Sequence, residues 1–179
     1  MSKAQSRRRL IGAALLWPAY SFAQSCGKAT QRQTEGPFFK PQSPERTVLV
    51  EGRAGSLLVT GRVLGPDCKP VAHALLDFWH ANEKGDYDNQ GFRYRGHQYT
   101  DADGRYRLET IVPAEYPGRT RHYHVKVQAP NRPILTTQLY FPNEERNRAD
   151  DFFHRELVMQ VAGAEGALQA RFDVVLAMK

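Results

Sequence analysis

From Ser56 onward the chain is cut into short apolar runs, each closed by turn-forming residues, and that rhythm leaves little besides β-structure open to it. "SLLVTGRVL" runs into "GPDCKP" and "ALLDFWHA" into "NEKGDYDNQG"; "HQYT" and "RYRLETI" stand either side of "DADG"; "HYHVKVQ", "ILTTQLYF" and "RFDVVLAM" follow. Strands at this spacing imply an all-β sandwich or barrel. One stretch, "NEERNRADDFF", is a candidate for a surface helix or an ordered loop. Residues 24–55 are rich in Gly, Pro, Gln and Thr, show no sustained period and read as an irregular arm laid over the domain. With 179 residues, 41% of them hydrophobic, the chain supports one core. The expectation is a β-sandwich over 56–179 with an irregular N-terminal arm and long loops.

Residues 1–23 stand outside that pattern. "SRRRLIGAALLWPAYSFA" follows a basic start (Lys3, Arg7, Arg8, Arg9) with an apolar stretch from Leu10 and places the small residues Ser21 and Ala23 where a leader is cleaved. The apolar stretch is interrupted by Pro18 and is too short to span a bilayer, so the expectation is a removed export signal and no membrane span. Consecutive arginines before the apolar run fit the twin-arginine type, which exports folded proteins and suits a cofactor loaded beforehand. The protein is therefore expected in the periplasm or outside the cell. Without this segment the formal charge falls from +6 to +2, because it holds four basic residues and no acid. No basic stripe with interleaved aromatics remains, which argues against a nucleic-acid partner. Cys26 and Cys68, the two cysteines of the chain, are expected to pair in an oxidising compartment and tie the arm to the body.

The chemistry gathers in "RTRHYHVKV" (119–127). On an extended strand His122 and His124 share one face with Lys126, while Tyr123, Val125 and Val127 share the other. Two neighbouring imidazoles form a two-point chelate for a metal ion, although the pattern alone leaves open two histidines that are merely exposed or satisfied in a core. Upstream, "PAEYPGRTRH" fixes a loop with Pro113, Pro117 and Gly118 that carries Tyr116 and Arg119 toward the same end, and "GDYDN" puts Tyr87 in a turn. A loop tyrosine is ordinarily a packing residue. Two phenolates with two imidazoles, however, suit a ferric ion better than the softer sets that favour copper(I) or zinc.

Four stretches, "TEGPFF" (34–39), "GRVLGPDCKPVAHALLDFWHANEKGDYDN" (61–89), "RGHQYTDADGRYRLETIVPAEYPGRTRHYHVKV" (95–127) and "TTQLYFP" (136–142), together resemble the intradiol ring-cleavage dioxygenases. The resemblance is to the single-domain exported branch related to the protocatechuate 3,4-dioxygenase core. It implies a β-sandwich and a non-haem Fe(III) held by Tyr87, Tyr116, His122 and His124. It further implies Arg119 over the substrate ring, Gln138 as the active-site glutamine, and Tyr116 as the phenolate that leaves the metal and helps take up a proton. The implied reaction opens a catechol-type ring between its two hydroxylated carbons with O2 and gives a cis,cis-muconate-type product. Two positions depart from the family pattern, Tyr123 for the usual Ile and Arg121 for the frequent Pro. The family often forms homo-oligomers. The chain lacks room for the helical N-terminal segment of the cytoplasmic catechol and hydroxyquinol enzymes, which leaves both aromatic acids and free catechols open as substrates.

The remaining candidates read as structural. His80, His97 and Tyr94 are packing groups or supports behind the ligands, His73 and His154 carry no assignment, "DADG" (101–104) is a hairpin turn rather than a calcium loop, and "TEGPFF" is an arm that rims the pocket. Two other functions fit parts of the chain. A non-catalytic transthyretin-like or carboxypeptidase-regulatory-like binding module accounts for 58–110, and a secreted copper or zinc enzyme would use His122 and His124 but not the tyrosines.

Overall fold

The computed structural model describes residues 27–50, 57–164 and 167–178, and among them the structure is nearly all β. Nine strands form two sheets: β1 (Leu57–Leu64), β2 (Leu75–Trp79), β3 (Arg95–Tyr99), β4 (Arg105–Thr110), β5 (His122–Gln128), β6 (Leu135–Tyr140), β7 (Gln160–Ala162), β8 (Leu168–Arg171) and β9 (Val174–Val175). One sheet runs β4-β1-β8-β7 with β9 continuing along β1; the other runs β3-β2-β5-β6.

Alternation along the strands builds the core between them. Leu57, Val59 and Val63 of β1 and Tyr106 and Leu108 of β4 face Leu76 and Phe78 of β2, Tyr123, Val125 and Val127 of β5, and Leu139 of β6, all buried. The short runs whose spacing predicted a sandwich or barrel are the strands, and the two-residue alternation within them is the packing that makes the sandwich. The opposite face of β2, β5 and β6 would lie in water if the domain were only two sheets. The arm covers it instead. Gln33 N donates to Thr136 O, Gln138 Nε2 donates to Thr34 O and Lys126 reaches back to Glu35 at 2.5 Å, while Thr137 Oγ1, on the core face beside Val125, donates to Gln31 O where the arm runs along the edge of β6.

Several details depart from the expectation. "RFDVVLAM" is not one strand: β8 ends at Arg171, the chain jogs through Phe172 and Asp173, and β9 holds only Val174 and Val175. The jog arises because the Asp173 carboxylate takes the place of a strand partner and accepts the Arg62 N–H at 2.9 Å. Both β8 and β9 run parallel to β1, which the spacing of runs could not show. "DADG" is a tight turn, closed by Gly104 N to Asp101 O at 3.0 Å, yet β3 and β4 belong to different sheets, so it passes the chain between layers rather than closing a hairpin. "NEERNRADDFF" is the ordered loop of the two alternatives, with one 3₁₀ turn at Glu145–Arg148. Asp150 explains this, since its side chain turns inward and its Oδ1 captures the Phe152 N–H at 2.9 Å, breaking a helical ladder. Cys68 is disulfide-bonded. Cys26 and the leader at 1–23 lie outside the described residues.

Leu139 sits wholly buried opposite Tyr123 at the centre of this core. Leu139→Ala is expected to lower the unfolding free energy by about 2–5 kcal/mol in urea titrations, with unchanged far-ultraviolet circular dichroism.

Candidate metal centre

The site grows from one row of side chains across the second sheet. In register, Trp79 of β2 stands beside His124 of β5, which stands beside Gln138 of β6; one step along, His122 stands beside Tyr140. All five point to the face that the arm covers, because β5 commits its other face to the core. Trp79 stacks flat on the His124 ring at 4.8 Å and 9°, fixing its plane. The His122 Nδ1 donates to Thr120 O at 2.6 Å, which leaves the lone pair on its Nε2. That Nε2 faces the His124 Nε2 at 3.1 Å, as the shared-face reading required.

Loops bring the two tyrosines to the pair. Pro117 and Gly118, the latter at φ +78°, occupy the corners of a turn closed by Arg119 N to Tyr116 O at 2.9 Å, so Tyr116 and Arg119 leave its two ends side by side. The Tyr116 hydroxyl lies 3.5 Å from His122 Nε2. Tyr87 arrives on the 80–94 loop, whose first turn is built by the Asn82 carboxamide accepting the Lys84 and Asp86 N–H groups. Gly85, at φ +89°, lets this turn press against the Tyr116 loop, where a Cβ would stand 2.5 Å from Glu115 O. The Tyr87 ring reaches 5.7 Å from the Tyr116 ring and 6.1 Å from that of His124, and its hydroxyl is buried with no hydrogen-bond partner. Phe38 of "TEGPFF" stacks on Tyr87 at 4.4 Å, so the arm does rim the site.

Arg119 and Gln138 complete the set. Nη1 of Arg119 approaches the Tyr116 hydroxyl at 3.3 Å, its Nη2 donates to Gln138 Oε1, and its Nε donates to both carboxylate oxygens of Asp150 at 3.0 and 3.1 Å. Asp150 is itself fixed by the Thr120 N–H at 2.9 Å, and its side chain is 1% exposed. All six expected residues thus converge. Asp150 and Trp79 were not foreseen, and Phe38 only as part of the rimming arm. The repeated acid of "ADDFF" is the one trace of Asp150 in the sequence, and nothing there pairs it with Arg119.

His80 and Tyr94 lie behind the row, as expected for supports: His80 is wholly buried, stacked on Tyr94 at 5.0 Å and bonded to Thr110 Oγ1. His97 ties the arm through Ser43 O at 2.7 Å.

The donor set fits a hard trivalent cation. It offers two neutral imidazole nitrogens at 3.1 Å, one phenol beside them and a second, buried phenol oxygen with no other use. Among the described residues no three His, Cys, Asp or Glu side chains come together. The oxygen donors here are tyrosines.

Burial pushes the His122 pKa down to about 3, with the Arg119 charge acting the same way; it pushes His80 down to about 4 and holds His124 well below the ordinary value. Burial likewise raises the Tyr87 phenol above its ordinary range, with Tyr116 adding to the effect. In the unfolded chain the three histidines take up protons near pH 6.5, while in the folded, metal-free protein they resist until far lower pH. Stability is therefore full above pH 6.5 and is lost as the pH falls toward 3. Between pH 7 and 5 each buried histidine should cost about 2 kcal/mol. Urea unfolding of the metal-free protein at the two pH values measures the sum, and His80→Gln should flatten the slope.

Comparison with known proteins gives concordant matches. The family model for dioxygenase matches residues 34–178. A hydroxyquinol 1,2-dioxygenase of Rhizobium sp. (strain MTP-10005) is 30% identical over 172 residues, covering 80% of this chain and 58% of its own length. Catechol 1,2-dioxygenase 2 of Acinetobacter lwoffii is 34% identical over 138 residues, covering 62% and 50% respectively. The chain thus spans under two thirds of the length of these curated relatives. Among solved structures, the dioxygenase domain of a dioxygenase and carbohydrate-binding protein fusion from the cellulolytic bacterium Streptomyces sp. SirexAA-E superposes with a TM-score of 0.82 at 53% identity, covering 85% of this chain and all of that one.

Proposed function

The chain belongs to the intradiol ring-cleaving dioxygenase family, and on that footing we propose that it opens a catechol-type aromatic ring between its two hydroxylated carbons with O2. Both oxygen atoms enter the product, a cis,cis-muconate-type dicarboxylate. The observation that carries this reading is the meeting of two neutral imidazoles and two phenols around one point, with Arg119 and Gln138 alongside. The binding-module alternative gives way with the family assignment.

Tyr87, Tyr116, His122 and His124 would hold a non-haem ferric ion, whose Lewis acidity, when bound, makes a catecholate reactive toward O2. The protein supplies the rest. Tyr116 is the phenol nearest both His122 and Arg119, and as the phenolate that would hold the ion it is placed to accept a proton from a catechol hydroxyl. Arg119 keeps its charge throughout the working range and stabilises negative charge that develops on the ring oxygens. Asp150 holds that guanidinium through Nε, which aims the two Nη groups at the site. Gln138 is fixed at both ends of its carboxamide, by Arg119 and by Thr34 O at 3.0 Å, and orients what binds beside it. Trp79, and Phe38 on the opposite side, wall off water from the imidazoles and from Tyr87.

The same reading puts the protein outside the cytoplasm. The leader pattern of 1–23 and the disulfide at Cys68 support it.

The purified protein is expected to carry one iron per chain and a visible phenolate-to-ferric band, and to consume O2 with catechols. Arg119→Ala should keep the iron and the band while lowering turnover by about 100-fold. Tyr116→Phe and His124→Ala should change the band or the iron content. A colourless protein that binds no ferric ion overturns the reading.

A further inference from the structure

Arg95 opens β3 opposite Trp79 and is 1% exposed, a place where a guanidinium is costly unless its donors are used. It forms no salt bridge among the described residues. Its Nε donates to Asp88 O at 2.9 Å, its Nη1 to Phe38 O at 2.6 Å, and its Nη2 is buried without a partner. The Asp88 carboxylate is not what it holds, because that group is occupied by the N–H groups of Gln90, Gly91 and Arg93 at 2.7–3.0 Å.

The two carbonyls that it does hold have a common meaning. One belongs to Phe38 and the other to the residue directly after Tyr87, and the rings of Phe38 and Tyr87 are stacked at 4.4 Å and 14°. Arg95 therefore grips the backbone of two chain segments, the arm and the 80–94 loop, where their side chains meet. We infer that Arg95 is the positioning residue for Tyr87: its fork sets the separation of the two segments and so fixes the Tyr87 ring against the imidazoles. Asn82 and Asp88 shape the loop internally but do not join it to the arm. Two further ties join the segments farther along the loop from Tyr87: Lys40 to Gln90 O and Gly91 O at 2.8 and 2.7 Å, and Arg46 to Phe92 O and to Arg95 O, the latter at 3.0 Å. A buried guanidinium that bonds carbonyls on two segments does what neither Lys nor Met can do, since only the planar fork reaches both. The naming of Tyr87 as a metal donor rests on the proposed function; the placement of its ring by Arg95 does not.

The test uses the full chain with Arg95→Lys, which keeps the charge, and Arg95→Met, which keeps the bulk. In metal-free protein, nitration by tetranitromethane mapped by mass spectrometry reads the packing of each tyrosine, with half-exposed Tyr99 as reference and buried Tyr123 as the core control. Tyr87 should be nitrated several-fold faster in both variants, with Tyr123 unchanged. Unchanged Tyr87 nitration overturns the inference. So does a rise shared by Tyr123, because Arg95 would then hold the whole sandwich rather than Tyr87. If the protein binds ferric ion, Arg95→Lys should weaken it about tenfold against a competing chelator. In a double-mutant cycle most of that loss should vanish on a Tyr87→Phe background, and full additivity counts against the assignment. If the wild-type protein binds no iron, the proposed function fails and the nitration result still decides the role of Arg95.

Discussion

A strand has two faces and one register, and β5 commits both faces. Tyr123, Val125 and Val127 fill the centre of the sandwich, while His122 and His124 stand on the reverse. A slip of one residue would put two imidazoles into the apolar core and three large apolar groups out of it. The packing energy of the core therefore holds the geometry of the site. The neighbouring strands inherit the same constraint, which is why Trp79 and Gln138 meet His124 from either side without any contact designed between loops. No flexible element decides the spacing of the two imidazole nitrogens.

The reverse face then has to be kept dry, and the sheet of β4, β1, β8 and β7, packed on the core side, cannot do it. The irregular arm supplies the cover, bonded mostly through main-chain groups rather than a β-ladder. Two buried histidines, His122 and His124, follow from that cover, as does a buried arginine without an acid. Each is a local loss that the rest of the packing offsets, and each is concentrated on the face where chemistry is expected. The acid Asp150 shows the same economy of placement: one carboxylate closes its own loop through the Phe152 N–H and holds Arg119 through both oxygens.

The sequence disclosed what depends on short periods. The alternation in 122–127 revealed both the core face and the imidazole pair, and the Pro117–Gly118 corner revealed that Tyr116 and Arg119 travel together. Contacts set by long separations stayed hidden. Asp150 meets Arg119 across 31 positions, and Arg95 meets Phe38 across 57, with no pattern in the intervening residues to announce either. The parallel pairing of β8 with β1 was hidden for the same reason, and a two-residue strand such as β9 carries too little sequence to show a period at all. The helical tendency of 143–153 was misleading because side-chain capture of a backbone N–H by Asp150 is a tertiary event that local propensity does not contain.

The arm also sets an order of assembly. Its bonds to β6 join groups more than a hundred residues apart, Gln138 to Thr34 across 104 and Thr137 to Gln31 across 106. Closing such spans costs chain entropy that only a formed sheet repays. The arm, which precedes every strand in the chain, thus has nothing to bond at these positions until β6 is in place. Phe38 and the backbone that holds Tyr87 come into position only with the arm, so the sandwich can be complete, and its two histidines already in register, while the donor set is still open on one side.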